Sequence, residues 1–184
     1  KLREENGLEY DENCILVTPG GKNAIYLAVQ AILNEGDEVL VLDPAWVSYE
    51  PIVQAAGGVT VKVKLDYQQD YRITAEALEA ACTDKTRLLI INYPNNPTGR
   101  ILHKDEADIL EAFMLRHPDV YMLSDEVYEK LVYDNLLATQ ESSFGRFGTS
   151  EVERVDRFSH EFCDSVVTQI TDAAFVGMMD MLVG

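Results

Sequence analysis

Two short segments carry side chains that could do chemistry together. Asn92-Tyr93-Pro94-Asn95-Asn96-Pro97-Thr98-Gly99 presents amides on a loop stiffened by proline. Ser124-Asp125-Glu126-Val127-Tyr128 presents a carboxylate with a phenol three residues on. Each follows an apolar run, Leu88 to Ile91 and Tyr121 to Leu123, that reads as a buried strand. Each segment is therefore expected at the carboxyl end of a strand, where open α/β sheets bind ligands. An amide from one strand end, with a carboxylate and a phenol from the other, suits an aromatic ring that carries a basic nitrogen and a hydroxyl. A carboxylate beside such a nitrogen favours its protonated form. Taken alone, Asp125-Glu126 also reads as an acidic pair at a helix start, and the Asn-Pro segment as a surface turn.

Two more features join this set. Thr18-Pro19-Gly20-Gly21-Lys22-Asn23 links a strand pattern to a helix pattern. Glycine lets a ligand approach the backbone, and a helix N-terminus offers free N–H groups with positive partial charge, so the turn is suited to a phosphate. The plainer reading is a tight turn. Trp46, the only tryptophan, lies in Asp43-Pro44-Ala45-Trp46-Val47-Ser48-Tyr49, just past a strand. Core filling is the usual fate of a lone aromatic. A loop at a strand's carboxyl end is a poor place for that.

The elements that must position these residues alternate at α/β spacing. Strands are expected at Cys14 to Val17, Glu38 to Leu42, Thr60 to Leu65, Thr86 to Asn92 and Val120 to Ser124. Helices are expected at Asn23 to Leu33, around Tyr49 to Ala56, from Thr74 as N-cap, and over His103 to Arg116. Gly57-Gly58 suits a helix C-cap. Repeated strand–helix–strand units imply a mostly parallel sheet with helices on both faces and right-handed crossovers.

Order, spacing and strand context together resemble the cofactor site of class I/II aminotransferases, the fold-type I family that uses pyridoxal 5'-phosphate. The resemblance covers Leu8 to about Asn135. It implies that Gly20, Gly21, Lys22 and Asn23 hold the cofactor phosphate and that Trp46 stacks on the pyridine ring. It also implies that Asn96 and Tyr128 donate to the ring hydroxyl oxygen and that Asp125 holds the ring nitrogen. Trp46-Val47-Ser48-Tyr49 is similar to bacterial aspartate-type and aromatic-type members. A complete member would continue with a strand, a Ser-Lys pair whose lysine forms the Schiff base, and an arginine for the phosphate. No lysine follows Lys130 here, so no catalytic residue is identified.

The character of the chain changes near Asn135. Residues 136–149 read as loop, and Ser150-Glu151-Val152-Glu153 is a capping-box pattern. Val152, Val155, Phe158, Phe162, Val166, Ile170 and Ala173 then recur at helical spacing. Phe158-Ser159-His160-Glu161-Phe162 echoes a Phe-Ser-Lys-x-Phe segment, with His160 where the lysine would stand. The helical pattern explains the same residues. The expected organisation is a partial cofactor-binding large domain over residues 1–135, then a tail over 136–184 of loop and C-terminal amphipathic helix. Divergence, truncation and a sequence foreign to the family each fit the tail.

Composition sets the outer limits. A chain of 184 residues, 47% apolar, suits one domain with a sizeable core. A net charge of −17 argues against nucleic acid, which needs clustered Lys and Arg. Cys14, Cys82 and Cys163 form no CxxC and suit free thiols in a reducing cytoplasm, while His103, His117 and His160 do not cluster as metal ligands. No apolar run reaches 18 residues, so no membrane span is expected, and no signal peptide opens the chain. The first residue is Lys1 and helix-like sequence starts at once, as in a segment cut from something longer. The expected activity of the complete enzyme is amino-group transfer between an amino acid and a 2-oxo acid, in a cytoplasmic homodimer. The alternative is a non-catalytic remnant or interaction module that keeps the sheet and a weak cofactor site.

Overall fold

The computed structural model describes residues 15–132, and Glu4 alone before them. Helix α1 spans Gly21–Ile32 and buries Ile25, Ala28 and Val29 on one face. Strand β1 spans Glu38–Asp43, helix α2 Tyr49–Ala55 and strand β2 Val59–Lys64. Helix α3 spans Ala75–Ala81, capped by the Thr74 hydroxyl, which accepts from the Ala77 N–H at 3.2 Å. Strand β3 spans Thr86–Asn92, helix α4 Lys104–Arg116 and strand β4 Tyr121–Asp125.

All ladders are parallel and the order is β2-β1-β3-β4. The sequence expectation of a parallel sheet between helical layers therefore holds. The alternation along the central strands shows why. Leu40, Leu42, Leu89 and Ile91 face one way, against Leu78 of α3 and Ala107, Leu110 and Phe113 of α4. Val39, Val41, Leu88, Ile90 and Leu123 face the other way, against Ile25 and Val29 of α1 and Tyr49, Ile52 and Val53 of α2. Strands β1 and β3 are buried on both faces, hence their nearly unbroken apolar runs.

The strand order reverses direction once. The chain steps outward from β1 to β2, returns to the other side of β1 with β3, and steps outward again to β4. The carboxyl ends of β1 and β3 thus flank a topological switch point, the place where open α/β sheets bind ligands. Trp46 follows β1 and Asn96 follows β3.

One buried ion pair braces the loop that follows β3. Glu106 is fully buried. Its Oε1 accepts from the Ile73 N–H and from Arg100 Nη1, each at 2.8 Å, and its Oε2 accepts from Arg100 Nη2 at 3.0 Å. The segment before α3, the exit of the Asn-Pro loop and the first turn of α4 meet at this one carboxylate.

Several expectations need correction. Ile15, Leu16 and Val17 are not strand and are exposed, at 49%, 73% and 90%. An apolar run becomes a strand only where a neighbour completes its backbone hydrogen bonds, and no described strand pairs with this one. The alternating strand expected at Thr60 to Leu65 is present as β2, an edge strand in which Val63 alone is buried. A 3-10 turn, Tyr67–Gln69, capped by Asp66, carried no periodic apolar signal. The expected helix from Ser150, His160 and Cys14 lie outside the described residues.

Replacing Glu106 by alanine is expected to cost about 3 kcal/mol, because it removes the buried partner of the Arg100 guanidinium and leaves it only the exposed Asp70 carboxylate and the Tyr71 carbonyl. Urea unfolding of the variant checks this. A loss below about 1 kcal/mol would mean that water reaches Arg100 and the pair braces nothing.

Candidate functional site at the carboxyl edge of the sheet

The register of β3 on β4 sets the site. Asn92 pairs with Asp125, the last residue of each strand. Both are buried, at 4% exposure each, at the end of otherwise apolar strands. Buried polar groups must find partners. Asn92 Nδ2 donates to the Asp125 carbonyl at 2.8 Å, and Asn92 Oδ1 accepts from the Asn96 N–H at 2.8 Å. This amide therefore ties the loop after β3 to the end of β4.

The loop itself is folded by its own side chains. Asn95 Oδ1 accepts from the Thr98 N–H at 3.1 Å and the Thr98 hydroxyl at 2.7 Å, and the Asn95 carbonyl accepts from the Gly99 N–H at 2.7 Å. Asn95 and Thr98 thus shape the turn. Asn96 is left to point its amide outward, and Asn96 Nδ2 donates to the Tyr128 hydroxyl at 3.3 Å. Those two groups stand side by side, as a shared acceptor such as a ring hydroxyl oxygen requires.

Asp125 has a different kind of partner. The Tyr49 hydroxyl donates to Asp125 Oδ2 at 2.7 Å, and the Val127 N–H donates to Oδ1 at 3.3 Å. No cation pairs with the carboxylate among the described residues. Burial raises the Asp125 carboxyl above the usual carboxylate range, and the hydrogen bonds from Tyr49 and Val127 pull it back down. Burial and the neighbouring carboxylate push the Tyr49 phenol far above its ordinary value, so it remains a donor at any working pH.

Trp46 is half-buried and meets the Tyr49 ring edge-on, centroids 5.3 Å apart at 85°. Lys22 Nζ lies 5.1 Å from the Trp46 ring centroid. The indole therefore spans from the Asp125 cluster to the turn that opens α1. In that turn Gly20 has φ +95°, which an L side chain rarely adopts, and no side chain caps the helix. Gly21 is buried, Asn23 is half-buried and Lys22 is exposed.

The eight residues singled out in the sequence are linked as follows. Lys22 meets Trp46, Trp46 meets Tyr49, Tyr49 meets Asp125, and Asn92 joins Asp125 to Asn96 and so to Tyr128. Gly20, Gly21 and Asn23 join through the turn that carries Lys22. Tyr49 and Asn92 were missed. For Asn92 the signal was a lone amide closing an apolar strand. For Tyr49 it was a tyrosine at a core position of α2, whose hydroxyl needs a partner.

Such a donor set fits a phosphorylated pyridine ring: a buried carboxylate lacking a cation, paired donors for a ring oxygen, an indole face, and an uncapped glycine-led helix start. Fold and site together define an α/β protein with these groups gathered at the switch point of its parallel sheet. The sequence profile of the family described as "Aminotransferase class I and II" matches residues 1–158, and the chain belongs to that family. Members of this family depend on pyridoxal phosphate. The chain is similar to the aspartate aminotransferase of Bacillus sp. (strain YM-2), 46% identical over 134 residues, covering 73% of this chain and 34% of that protein. It is 43% identical over 134 residues to the aspartate/prephenate aminotransferase of Thermus thermophilus, again with 73% and 34% coverage. Among solved structures, the aspartate aminotransferase of Rhizobium meliloti superposes with a TM-score of 0.74 at 38% identity, covering 78% of this chain and 36% of that one. The Thermus thermophilus enzyme with maleate gives 0.72 at 40%, with 78% and 37% coverage. The chain thus spans about a third of the length of these relatives.

Asp125→Asn is expected to raise stability at neutral pH by about 1 kcal/mol, since it removes a buried charge that has no counter-ion among the described residues. The sign follows from the direction of the shift. A carboxyl raised in the fold adds stability below its ordinary value near 3.8 and loses it as pH rises through the raised value. The gain from asparagine should therefore be absent at acid pH, grow as pH rises above about 4 and level off once pH passes the raised value, as read by urea unfolding. A variant less stable than the parent at neutral pH would mean that the carboxylate has a cationic partner.

Proposed function

We propose that the carboxyl edge of this sheet binds the ring and phosphate of pyridoxal 5'-phosphate. We propose further that the whole protein built on it transfers an amino group between an amino acid and a 2-oxo acid. The carrying observation is the single relay from Trp46 through Tyr49, Asp125 and Asn92 to Asn96 and Tyr128. When bound, the cofactor supplies an electron sink for charge developing on the substrate's α-carbon. The chain's own residues have simpler tasks. Asp125 holds a proton at the ring nitrogen through a charge-assisted bond. Asn96 Nδ2 and the Tyr128 hydroxyl donate to the ring oxygen. Trp46 covers one ring face and excludes water from it. The Gly20–Asn23 turn holds the phosphate at the start of α1.

The amine chemistry needs a further part. Lysines in this chain are Lys1, Lys22, Lys62, Lys64, Lys85, Lys104 and Lys130. Lys62 and Lys64 lie on the edge strand β2, Lys85 precedes β3 and Lys104 opens α4. Lys22 sits in the phosphate turn and Lys130 just beyond Tyr128. None follows Asp125 at the family's distance, so the 184-residue chain alone is a binding half-site without turnover. The family reading also makes the whole protein a homodimer of the cytoplasm, acting in amino-acid metabolism. Among the described residues no helix is long and apolar enough to cross a membrane, and no cluster of His, Cys, Asp or Glu could hold a metal ion.

Titration of the 184-residue chain with pyridoxal 5'-phosphate tests this reading, because Trp46 is the only tryptophan and its fluorescence reports a ring stacked on it. Saturable quenching is expected, weakened about tenfold or more by Asp125→Ala, which removes a charge-assisted bond. No turnover is expected with aspartate or an aromatic amino acid plus 2-oxoglutarate. Quenching indifferent to Asp125→Ala would favour the rival reading, a scaffold that keeps the sheet without the site.

A further inference from the structure

At the edge of the sheet opposite the cofactor site, the fold brings a thiol, an imidazole, a carboxylate and a guanidinium together. Helices α3 and α4 run against the parallel strands, so their C-terminal ends lie at the amino edge. Cys82 follows α3 and His117 follows α4. The Thr83 hydroxyl donates to Glu38 Oε2 at 2.6 Å, which places the group beside the start of β1. Glu79 of α3 and Arg116 of α4 complete it. The amino-transfer reading uses none of these residues.

Their contacts run in one order. Arg116 Nε and Nη2 donate to Glu79 Oε1 at 2.9 and 2.7 Å. His117 Nε2 lies 3.0 Å from Glu79 Oε2, and Cys82 Sγ lies 3.7 Å from His117 Nδ1. Hydrogen bonds from Arg116 and His117 hold the Glu79 carboxyl below the usual carboxylate range, so it is ionised and can only accept. The ring proton therefore sits on Nε2. In the neutral ring this leaves a lone pair on Nδ1, facing the thiol. Phe113 lies against the ring, with centroids 4.5 Å apart, and keeps it in place. The other acceptor near the thiol, the Thr83 carbonyl, is farther away at 3.9 Å.

A nucleophile, a base within reach of its proton and a third group that orients the base form the arrangement that activates thiols. Ionisation is not spontaneous here. Burial raises the Cys82 thiol above its ordinary value, a hydrogen bond with Thr86 lowers it, and the Glu79 and Glu38 carboxylates raise it further. The thiol is therefore neutral at rest and needs a base to take its proton as it reacts. The carboxylate that opposes a thiolate also favours the imidazolium formed in that transfer. Cys82 and His117 are half-buried and not sealed in the core.

We propose that Cys82 is a modification site for small disulfides, with His117 as its base and Glu79 as the residue that positions the base. The S–H proton passes to His117 Nδ1 as Sγ attacks one sulfur of the disulfide. The disulfide bond breaks, and the departing thiolate takes up the proton from the ring. The products are a mixed disulfide on Cys82 and one free thiol, so no further oxidant or reductant is consumed. The modified sulfur lies where the ends of α3 and α4 meet, away from the carboxyl edge.

The test uses the full chain with Cys14→Ser and Cys163→Ser, which leaves Cys82 as the one thiol. Hydroxyethyl disulfide is the probe, because it is neutral and a chain of net charge −17 would repel an acidic one. Intact mass follows adduct formation at neutral pH. The folded chain is expected to react faster than the same chain unfolded in urea. His117→Asn is expected to slow the reaction about tenfold or more, since a positioned base is lost. Glu79→Gln is expected to slow it by a smaller factor, since the base stays but its orientation is no longer fixed. A purely structural role predicts the opposite sign, because a loosened contact between α3 and α4 would expose the sulfur and speed the reaction. Glu79→Gln carries the test if His117→Asn does not fold. An unchanged or faster rate in either folded variant overturns the proposal, as does a parent chain that reacts no faster than its unfolded form.

Discussion

A carboxyl group placed where burial opposes its charge is the constraint around which this structure is arranged. Asp125 ends β4 inside the protein, so its charge must be supported by fixed donors or not exist at all. Everything nearby serves that need or exploits it. Tyr49 supplies the close hydrogen bond, and Asn92 fixes the backbone that carries the carboxylate. A cation arriving from outside would complete the arrangement, and a protonated pyridine nitrogen is a cation of suitable shape. The stability lost to the buried charge and the affinity gained from it are two sides of one design, as is common where function needs a strained or unsatisfied group.

The scaffold reaches this point by simple means. Parallel strands all point their carboxyl ends one way, so the ends of β1, β3 and β4 collect at a single edge. The reversal of strand order between β1 and β3 places the switch point there. Packing on both faces makes the sheet rigid enough to hold side chains to within hydrogen-bond tolerance. The Glu106–Arg100 pair extends that rigidity to the Asn-Pro loop. It adds to the bonds that Arg100 makes with Asp70 and the Tyr71 carbonyl and to the tie from Asn96 to Asn92.

Some of this was legible in the sequence, and the boundary has physical causes. Thr86–Asn92 was readable residue for residue, because a central strand buried on both faces shows as an unbroken apolar run. The Thr74 cap was readable because a hydroxyl before a helical pattern has one local use. The choice of Asn96, Asp125 and Tyr128 rested on their places after strands together with the family resemblance, both of which local sequence records. The Tyr49–Asp125 bond joins residues 76 apart, and the Asn92–Asp125 bond residues 33 apart. Such contacts depend on strand register and helix docking, which no local pattern encodes. Glu106 was hidden for the same reason: it reads as a helix-start acid, and only the fold brings Arg100 and Ile73 to it. Ile15–Val17 misled in the opposite sense, since apolar β-branched sequence is necessary for a buried strand but a neighbour is also required.

The most direct test of the account is a crystal structure of the 184-residue chain grown with pyridoxal 5'-phosphate. The account predicts the ring on the Trp46 face, its nitrogen within hydrogen-bond distance of the Asp125 carboxylate, its oxygen between Asn96 and Tyr128, and its phosphate at Gly20 to Asn23. Cofactor bound elsewhere, or bound at this edge with its nitrogen turned away from Asp125, would contradict it.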